Sequence, residues 1–305
     1  RSASRRIWVV AKADQNLRIP ISGTTRLAAV IGNPVRHSLS PALLNAAFNA
    51  TDLDWAFVAL EVEVGDAARA LDGLRALRLA GLSVTMPHKA AVAALMDRRS
   101  EAAERLDAVN CVVVEDGLLV GHNTDGDGFL DGLAHDSAMD VAGCTAVVVG
   151  AGGAARAITL ALGGAGASEV SVVNRTAGRA EVAALLAGGA GRTVSPSDTA
   201  EVISAADLVV NATPVGMGAV PGPESPMPLD PGLLSTGQVV VDLVYHPLDT
   251  PWLVEARRQG IEAHGGLSML VFQAARAFAL WTGRDAPVDT MSAAARAALG
   301  AHPLS

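Results

Sequence analysis

Three groups of residues in this chain could do chemistry. The first is Gly150-Ala151-Gly152-Gly153-Ala154-Ala155, set between the apolar run Ala146-Val147-Val148-Val149 and a helix-forming segment at 156–162. A second apolar run, Val170-Ser171-Val172-Val173, follows. Strand, glycine turn, helix and strand form the unit that binds a dinucleotide. Gly150 permits the tight turn, Gly152 lets the backbone approach a pyrophosphate, and Ala155 takes the third small position. The free N–H groups and positive dipole end of the helix then face the phosphates, with Gly153 and Ala154 beside them. A glycine turn of this kind also joins strands to helices without any ligand. At the end of the second run stand Asn174-Arg175-Thr176, with Arg179 one helical turn on. Two guanidinium groups and a hydroxyl suit a 2′-phosphate, and no carboxylate is present to repel it. The expected cofactor is NADP. Thr176 is also a natural N-cap, and capping and phosphate binding can coexist.

The second group is Ser38 and Ser40 in Arg36-His37-Ser38-Leu39-Ser40-Pro41. Two hydroxyls ahead of a helix N-terminus suit a carboxylate, although Ser40 before Pro41 is equally ordinary N-cap punctuation. The third group is scattered. Thr85 and Lys89 lie in Thr85-Met86-Pro87-His88-Lys89 at the carboxyl end of a strand, where open α/β sheets place ligands. Spacing alone does not separate Lys89 from a solvated surface lysine. Asn123-Thr124-Asp125-Gly126 brings an amide, a hydroxyl and a carboxylate together just before the nucleotide unit, at the expected domain junction. It also reads as a loop capping the next helix. Gln273 interrupts the apolar face of a helix at 268–282, where a buried amide without a partner is costly and ligand contact would relieve it.

The elements that must position these groups alternate along the chain. Strands are expected at 27–31, 55–60, 82–85, 111–114, 118–120, 208–211, 239–244 and 261–263. Helices are expected at 42–49, 66–79, 89–99, 177–186 and 251–259, with a flexible loop at 188–191 and a long surface loop at 218–232. Alternation of this kind implies mostly parallel α/β sheets. The 305 residues suffice for two domains. Half the residues are hydrophobic but only 3% are aromatic, so cores of Ala, Val and Leu are expected. The net charge of −8 argues against a general nucleic-acid binder. Cys111 and Cys144 have neither metal-ligand nor disulfide spacing, and the seven histidines are scattered. No apolar run is long enough to span a bilayer. The composition reads as a soluble, cytoplasmic protein. Residues 1–26 carry six basic residues and one acid, Asp14, and read as a partly disordered extension, with a transit peptide as the alternative.

Taken in order, these motifs resemble the shikimate dehydrogenase family, NADP-dependent enzymes of aromatic amino-acid biosynthesis. Gly32-Asn33-Pro34 with His37-Ser38-Leu39-Ser40-Pro41 is similar to the family's opening signature. Val84-Thr85-Met86-Pro87-His88-Lys89 resembles its lysine motif, which often ends Val-Pro-Phe-Lys. Ala108-Val109-Asn110 and Asn123-Thr124-Asp125-Gly126 resemble its asparagine and aspartate motifs. Asn211-Ala212-Thr213 and Gly216-Met217 belong with the cofactor half, and 266–273 with the return helix.

The resemblance implies two α/β domains flanking a cleft. An N-terminal substrate domain with a mostly parallel sheet would comprise 27–124 and 265–305, and a Rossmann-type NADP-binding domain 125–264. It implies reversible reduction of 3-dehydroshikimate to shikimate, with Lys89 as acid/base, Asp125 as its orienting partner, and both residues binding the substrate. A lysine acts as base only when its pKa falls from about 10.4. Burial and an oxidised nicotinamide lower it, and a carboxylate opposes that shift. Ser38 and Ser40 would hold a carboxylate; Thr85, Asn110 and Gln273 would hold ring hydroxyls; Tyr245 would stand on the substrate side. Thr213, Leu243, Gly266 and Glu101 would lie near the cofactor. No metal is implied, and the assembly is expected to be a monomer or homodimer. Within the family, a threonine at position 40 would suggest quinate and an aspartate at 174–176 would suggest NAD; quinate/shikimate and aminoshikimate dehydrogenases are the near alternatives. A non-catalytic NADP sensor would be favoured by loss of Lys89 or Asp125, and both are present. A methylene-tetrahydrofolate dehydrogenase is disfavoured by the serine pair and the lysine–aspartate combination.

Overall fold

Short continuous apolar runs become strands covered on both faces, and the segments between them become helices that supply the cover. The computed structural model describes residues 20–218 and 225–301. The expected N-terminal extension lies mostly outside the described residues. Its last part is tied down: Thr24 and Thr25 donate their hydroxyls to Asp54 at 2.7 and 2.6 Å.

The first sheet contains β1 (Arg26–Gly32), β2 (Trp55–Glu61), β3 (Gly81–Val84), β4 (Arg98–Arg99), β5 (Cys111–Glu115) and β6 (Leu118–His122), in the order β2-β1-β3-β5-β6-β4. Its helices are α1 (Ser40–Ala50), α2 (Ala67–Leu77), α3 (Lys89–Ala93) and α4 (Glu101–Leu106). β5 runs antiparallel to β3 and β6. Asp116 and Gly117, both at positive φ (50° and 82°), make the tight hairpin turn that returns the chain.

From β6 the chain enters α5 (Asp125–Asp136) and then a second sheet: β7 (Thr145–Val149), β8 (Glu169–Val173), β9 (Gly191–Thr193), β10 (Leu208–Asn211), β11 (Val239–Asp242) and β12 (Glu262–Gly265). Between them lie α6 (Gly153–Gly164), α7 (Ala177–Ala184), α8 (Thr199–Ala205) and α9 (Pro251–Arg258). All neighbours are parallel, in the order β9-β8-β7-β10-β11-β12, the doubly wound arrangement whose topological switch lies between β7 and β10. The chain then returns through α10 (Leu267–Thr282) and α11 (Val288–Ala301), which pack with α1 on the first sheet.

Each sheet has its own core. Val148, Ile158 and Val210 fill one face of the second sheet with small aliphatic groups, as expected. The few aromatics are instead concentrated on the first: Phe48 packs at 5.2 Å from Trp55 and 5.5 Å from Phe278. Aliphatics alone therefore do not describe that core.

Several expectations are corrected. Ser40 is not the N-cap of α1; Leu39 takes that place with near-helical dihedrals, and Ser40 is already in the helix. The helix expected over 89–99 stops at Ala93. The Asp97 carboxylate accepts the Leu119 N–H and the Arg75 guanidinium, both at 2.6 Å, and pulls the chain to the sheet edge as β4. The expected loop at 188–191 is a 3-10 turn, Leu185–Ala190, that feeds β9. The strand expected to reach residue 244 ends at Asp242, whose carboxylate accepts the Val244 N–H at 3.1 Å. Helices α4, α8 and α11 are not expected from the sequence pattern.

One junction governs the rest. α5 lies between α6 and α10, and its glycines allow backbone to meet backbone. A Cβ on Gly126 would stand 2.6 Å from the Ala157 carbonyl oxygen, and one on Gly128 2.5 Å from the Gln273 nitrogen.

Candidate active site

A cavity of about 240 Å³ opens between the two sheets, at the carboxyl ends of β1, β3 and β11. Residues from both halves of the chain line it. β3 and the start of α3 carry Thr85 and Lys89; the loop into α1 carries Ser38 and Ser40; α5 brings Asp125; and α10 brings Gln273. Thr85 is pressed against Gly32, where any side chain would overlap its methyl group.

Lys89 and Asp125, 36 positions apart in sequence, meet here. Lys89 Nζ donates to Asp125 Oδ2 at 2.5 Å, and Asn110 Nδ2 donates to Asp125 Oδ1 at 2.7 Å. The side chains of the pair are 24% and 10% exposed, a setting drier than a surface salt bridge. His88, next to the lysine, is buried and bonds the Val62 carbonyl through Nε2 at 2.8 Å, which anchors the turn leading to Lys89.

The remaining polar groups face the cavity with capacity to spare. Ser40, released from capping, makes no side-chain hydrogen bond among the described residues, while its N–H donates to Ser38 Oγ at 3.3 Å. Gln273 is half-buried, and it does have a structural partner: Nε2 donates to the Leu270 carbonyl at 2.8 Å. Its Oε1 accepts nothing among the described residues. Tyr245 lines the same cavity, and burial pushes its phenol above the ordinary tyrosine value, so it stays a neutral donor.

The nucleotide unit borders this cavity through Ala154, Leu243 and Gly266. The residues fit a dinucleotide. Gly150 has φ 114°, and a Cβ there would stand 3.1 Å from the Ala212 carbonyl oxygen, across the switch point from β10. Gly152 caps α6 without a side chain, and a Cβ on Gly152 or Gly153 would meet nothing within 4 Å. The first N–H groups of a 12-residue helix are thus left open for an anion, with Ala151 on the approach and Ala155 fully buried behind. At the tip of β8, Asn174 Nδ2 donates to the Thr176 carbonyl at 3.0 Å. Thr176 takes the N-cap position of α7 but makes no capping bond with its hydroxyl. Arg175 and Arg179 are exposed and paired with no carboxylate among the described residues. Thr213 is fixed by its hydroxyl and N–H to Asn211 Oδ1 (2.7 and 3.0 Å), and Asn211 in turn donates to Asp242 at 2.8 Å. Burial raises the Asp242 pKa, against the hydrogen bonds from Thr250, Val244 and Asn211.

Glu101, expected near the cofactor, does not line this cavity. It lines a separate cavity of about 810 Å³ with Arg105, His122 and Arg276. Cys111 and Cys144 are buried free thiols; burial raises both, Cys144 to about 11. No group of three or more potential metal ligands occurs among the described residues. No helix among them is long and apolar enough to cross a membrane. Some site features have little signal in sequence. Thr124 and His88 lie inside the segments 123–126 and 84–89 with no local feature that marks a task, and Asp242 reads as part of a strand.

A doubly wound nucleotide sheet, joined to a second α/β domain with a lysine–carboxylate pair at their junction, defines a dinucleotide-dependent dehydrogenase of two domains. Family models locate it further. Residues 30–112 match the shikimate dehydrogenase substrate binding domain, 132–217 match shikimate / quinate 5-dehydrogenase, and 266–296 match the shikimate 5′-dehydrogenase C-terminal domain. The NADP(+) shikimate dehydrogenase of Moorella thermoacetica is 46% identical over 93% of this chain and 97% of its own. The crystal structure of the Thermus thermophilus shikimate 5-dehydrogenase with NADP(H) and shikimate has 39% identity and a TM-score of 0.82, covering 90% of this chain and all of that one. A quinate dehydrogenase from Corynebacterium glutamicum, solved with NAD, has 34% identity and a TM-score of 0.81, covering 88% and 98%. The chain belongs to the shikimate dehydrogenase family.

Proposed function

We propose that this chain catalyses the reversible NADPH-dependent reduction of 3-dehydroshikimate to shikimate. The observation that carries the reading is the Lys89–Asp125 pair, which lines one cavity together with Ser38, Ser40 and Ala154 of the nucleotide helix. NADP, when bound, supplies or takes up the hydride. Lys89 handles the proton at the reacting oxygen: the ammonium gives it as the carbonyl becomes a hydroxyl, and the amine takes it in the reverse direction. Asp125 aims the lysine through Oδ2. Ser38 and Ser40 hold the substrate carboxylate with hydroxyl hydrogens that the protein leaves unused. Thr85, Asn110 and Gln273 take ring hydroxyls, and Tyr245 donates from the opposite wall.

Residues 150–154, 174–176, Arg179, Thr213, Leu243 and Gly266 form the NADP side. On this reading 27–124 with 265–305 works as the substrate domain and 125–264 as the NADP domain. The buried free thiols and an NADP cofactor support a cytoplasmic setting, and the enzyme works as a monomer or homodimer on a small-molecule substrate.

The test is the initial rate of oxidation of shikimate and of quinate, each with NADP⁺ and NAD⁺. Shikimate with NADP⁺ should have the highest kcat/KM; a clear preference for quinate with NAD⁺ overturns the reading. In the same assay Arg175→Ala should raise KM for NADP⁺ about tenfold or more, as loss of a charge-assisted phosphate contact predicts. KM for NAD⁺ should stay within about twofold of wild type by the same argument, because NAD⁺ lacks the phosphate. Equal losses with both cofactors would refute the assignment of the 2′-phosphate to Arg175.

A further inference from the structure

Thr124 stands among three polar residues of the cleft and is only 4% exposed. Its N–H donates to Asn110 Oδ1 at 2.8 Å. Its hydroxyl accepts from Asn110 Nδ2 at 3.0 Å and donates to the Gln273 backbone carbonyl at 3.0 Å. The second hydrogen on Asn110 Nδ2 goes to Asp125 Oδ1 at 2.7 Å.

A primary amide has two hydrogens and an oxygen with two lone pairs. Here its orientation has one solution. A backbone N–H can be met only by the amide oxygen, and a carboxylate only by the amide nitrogen. Rotating the amide by half a turn would set N–H against N–H and oxygen against carboxylate. Both hydrogens of Asn110 are therefore spent within the protein, and the second lone pair of Oδ1 is what remains. The Thr124 hydroxyl also lies 3.3 Å from that oxygen. Its single hydrogen goes to the nearer Gln273 carbonyl, since Asn110 Nδ2 already donates to Thr124.

We propose that Thr124 is a positioning residue of this enzyme. Its backbone N–H and the Asp125 carboxylate set the orientation of Asn110, and its hydroxyl takes the second amide hydrogen, so that Asn110 presents an acceptor, and only an acceptor, to a substrate hydroxyl. It also ties the start of α5, which carries Asp125, to the turn of α10 that carries Gln273. The Asn110 and Asp125 side chains are thereby set before a ligand arrives, which lowers the cost of ordering them on binding. The inference rests on the shikimate reading for its substrate and on the observed hydrogen bonds for its geometry.

The test compares Thr124→Val, which exchanges hydroxyl for methyl at similar volume, with Thr124→Ser, which keeps the hydroxyl. Thr124→Val should raise KM for shikimate about 5- to 50-fold, lower kcat by less, and leave KM for NADP⁺ within about twofold. Thr124→Ser should stay within about threefold of wild type on every constant, since the hydrogen bonds survive. Wild-type KM for shikimate in Thr124→Val overturns the proposal. So do equal losses for both ligands, or a Thr124→Ser enzyme as damaged as Thr124→Val. If Thr124→Val does not fold, Thr124→Ala against Thr124→Ser gives the same comparison. A wild-type protein that does not oxidise shikimate defeats the substrate reading instead. Thr124 is then tested by thermal unfolding in a double-mutant cycle of Thr124→Val with Asn110→Ala, where purely additive effects defeat the positioning role.

Discussion

Lys89→Ala should oxidise shikimate about 10²- to 10⁴-fold more slowly than wild type, the range over which a positioned acid/base contributes. Among the described residues, Lys89 is the one Lys or Arg side chain that lines the cleft, and its ammonium is already aimed by Asp125 at 2.5 Å. Removing it leaves the hydride path intact but gives the hydroxyl proton no acceptor. KM for NADP⁺ should therefore change little, and a small primary amine added to the assay should restore part of the rate. Steady-state rates at neutral pH, with and without the amine, measure both. Turnover near wild type in Lys89→Ala would mean that the proton is handled elsewhere.

Asp125→Asn is the second large effect expected. The carboxylate accepts from two different donors, Lys89 Nζ on one oxygen and Asn110 Nδ2 on the other. An asparagine offers one oxygen and one NH₂ group, so one of the two donors is left facing hydrogens. Breaking a largely desolvated charged pair costs several kcal/mol, and kcat/KM for shikimate should fall about 10²-fold or more. The loss should appear in both kcat and KM if, as proposed, Asp125 aims the lysine and also binds the substrate. Unchanged kcat with raised KM would reduce its role to binding alone. Asp125 is buried in the first turn of α5, so urea unfolding is measured alongside to separate the catalytic loss from a loss of stability.

What the sequence makes visible, and what it hides, divides along the range of the interactions. Gly150 to Ala155 is legible because its requirements are local: a positive φ, an open helix start and a small residue at the packing point are properties of six consecutive residues. Arg175 and Arg179 are legible for the same reason. The meeting of Lys89 with Asp125 is not, since neither residue's neighbours indicate the other, and family resemblance supplied what spacing could not. Where local rules misled, a tertiary contact had overridden them. Ala90 to Leu95 has strong helical propensity, yet α3 is only five residues long because Asp97 is held by β6 and Arg75. Ser40 looks like a cap, but the near-helical Leu39 starts the turn one residue sooner and leaves the Ser40 hydroxyl to the cleft. Thr124 was visible only as a polar residue in a polar motif. Its partners lie 14 and 149 positions away.

The glycine contacts of α5 bear on how this enzyme's substrate range could be altered. Because α10 rests on α5 through backbone atoms at Gly128, the wall that carries Gln273 has no intervening side chain to trim or enlarge. Selection for a larger or smaller ring substituent cannot proceed by moving that wall; it has to work on the side chains that project from it, at Met269, Leu270 and Gln273, or on the facing loop at 37–40. A library confined to those positions would sample the changes this architecture tolerates, and one that includes 126 and 128 would be spent largely on misfolded protein.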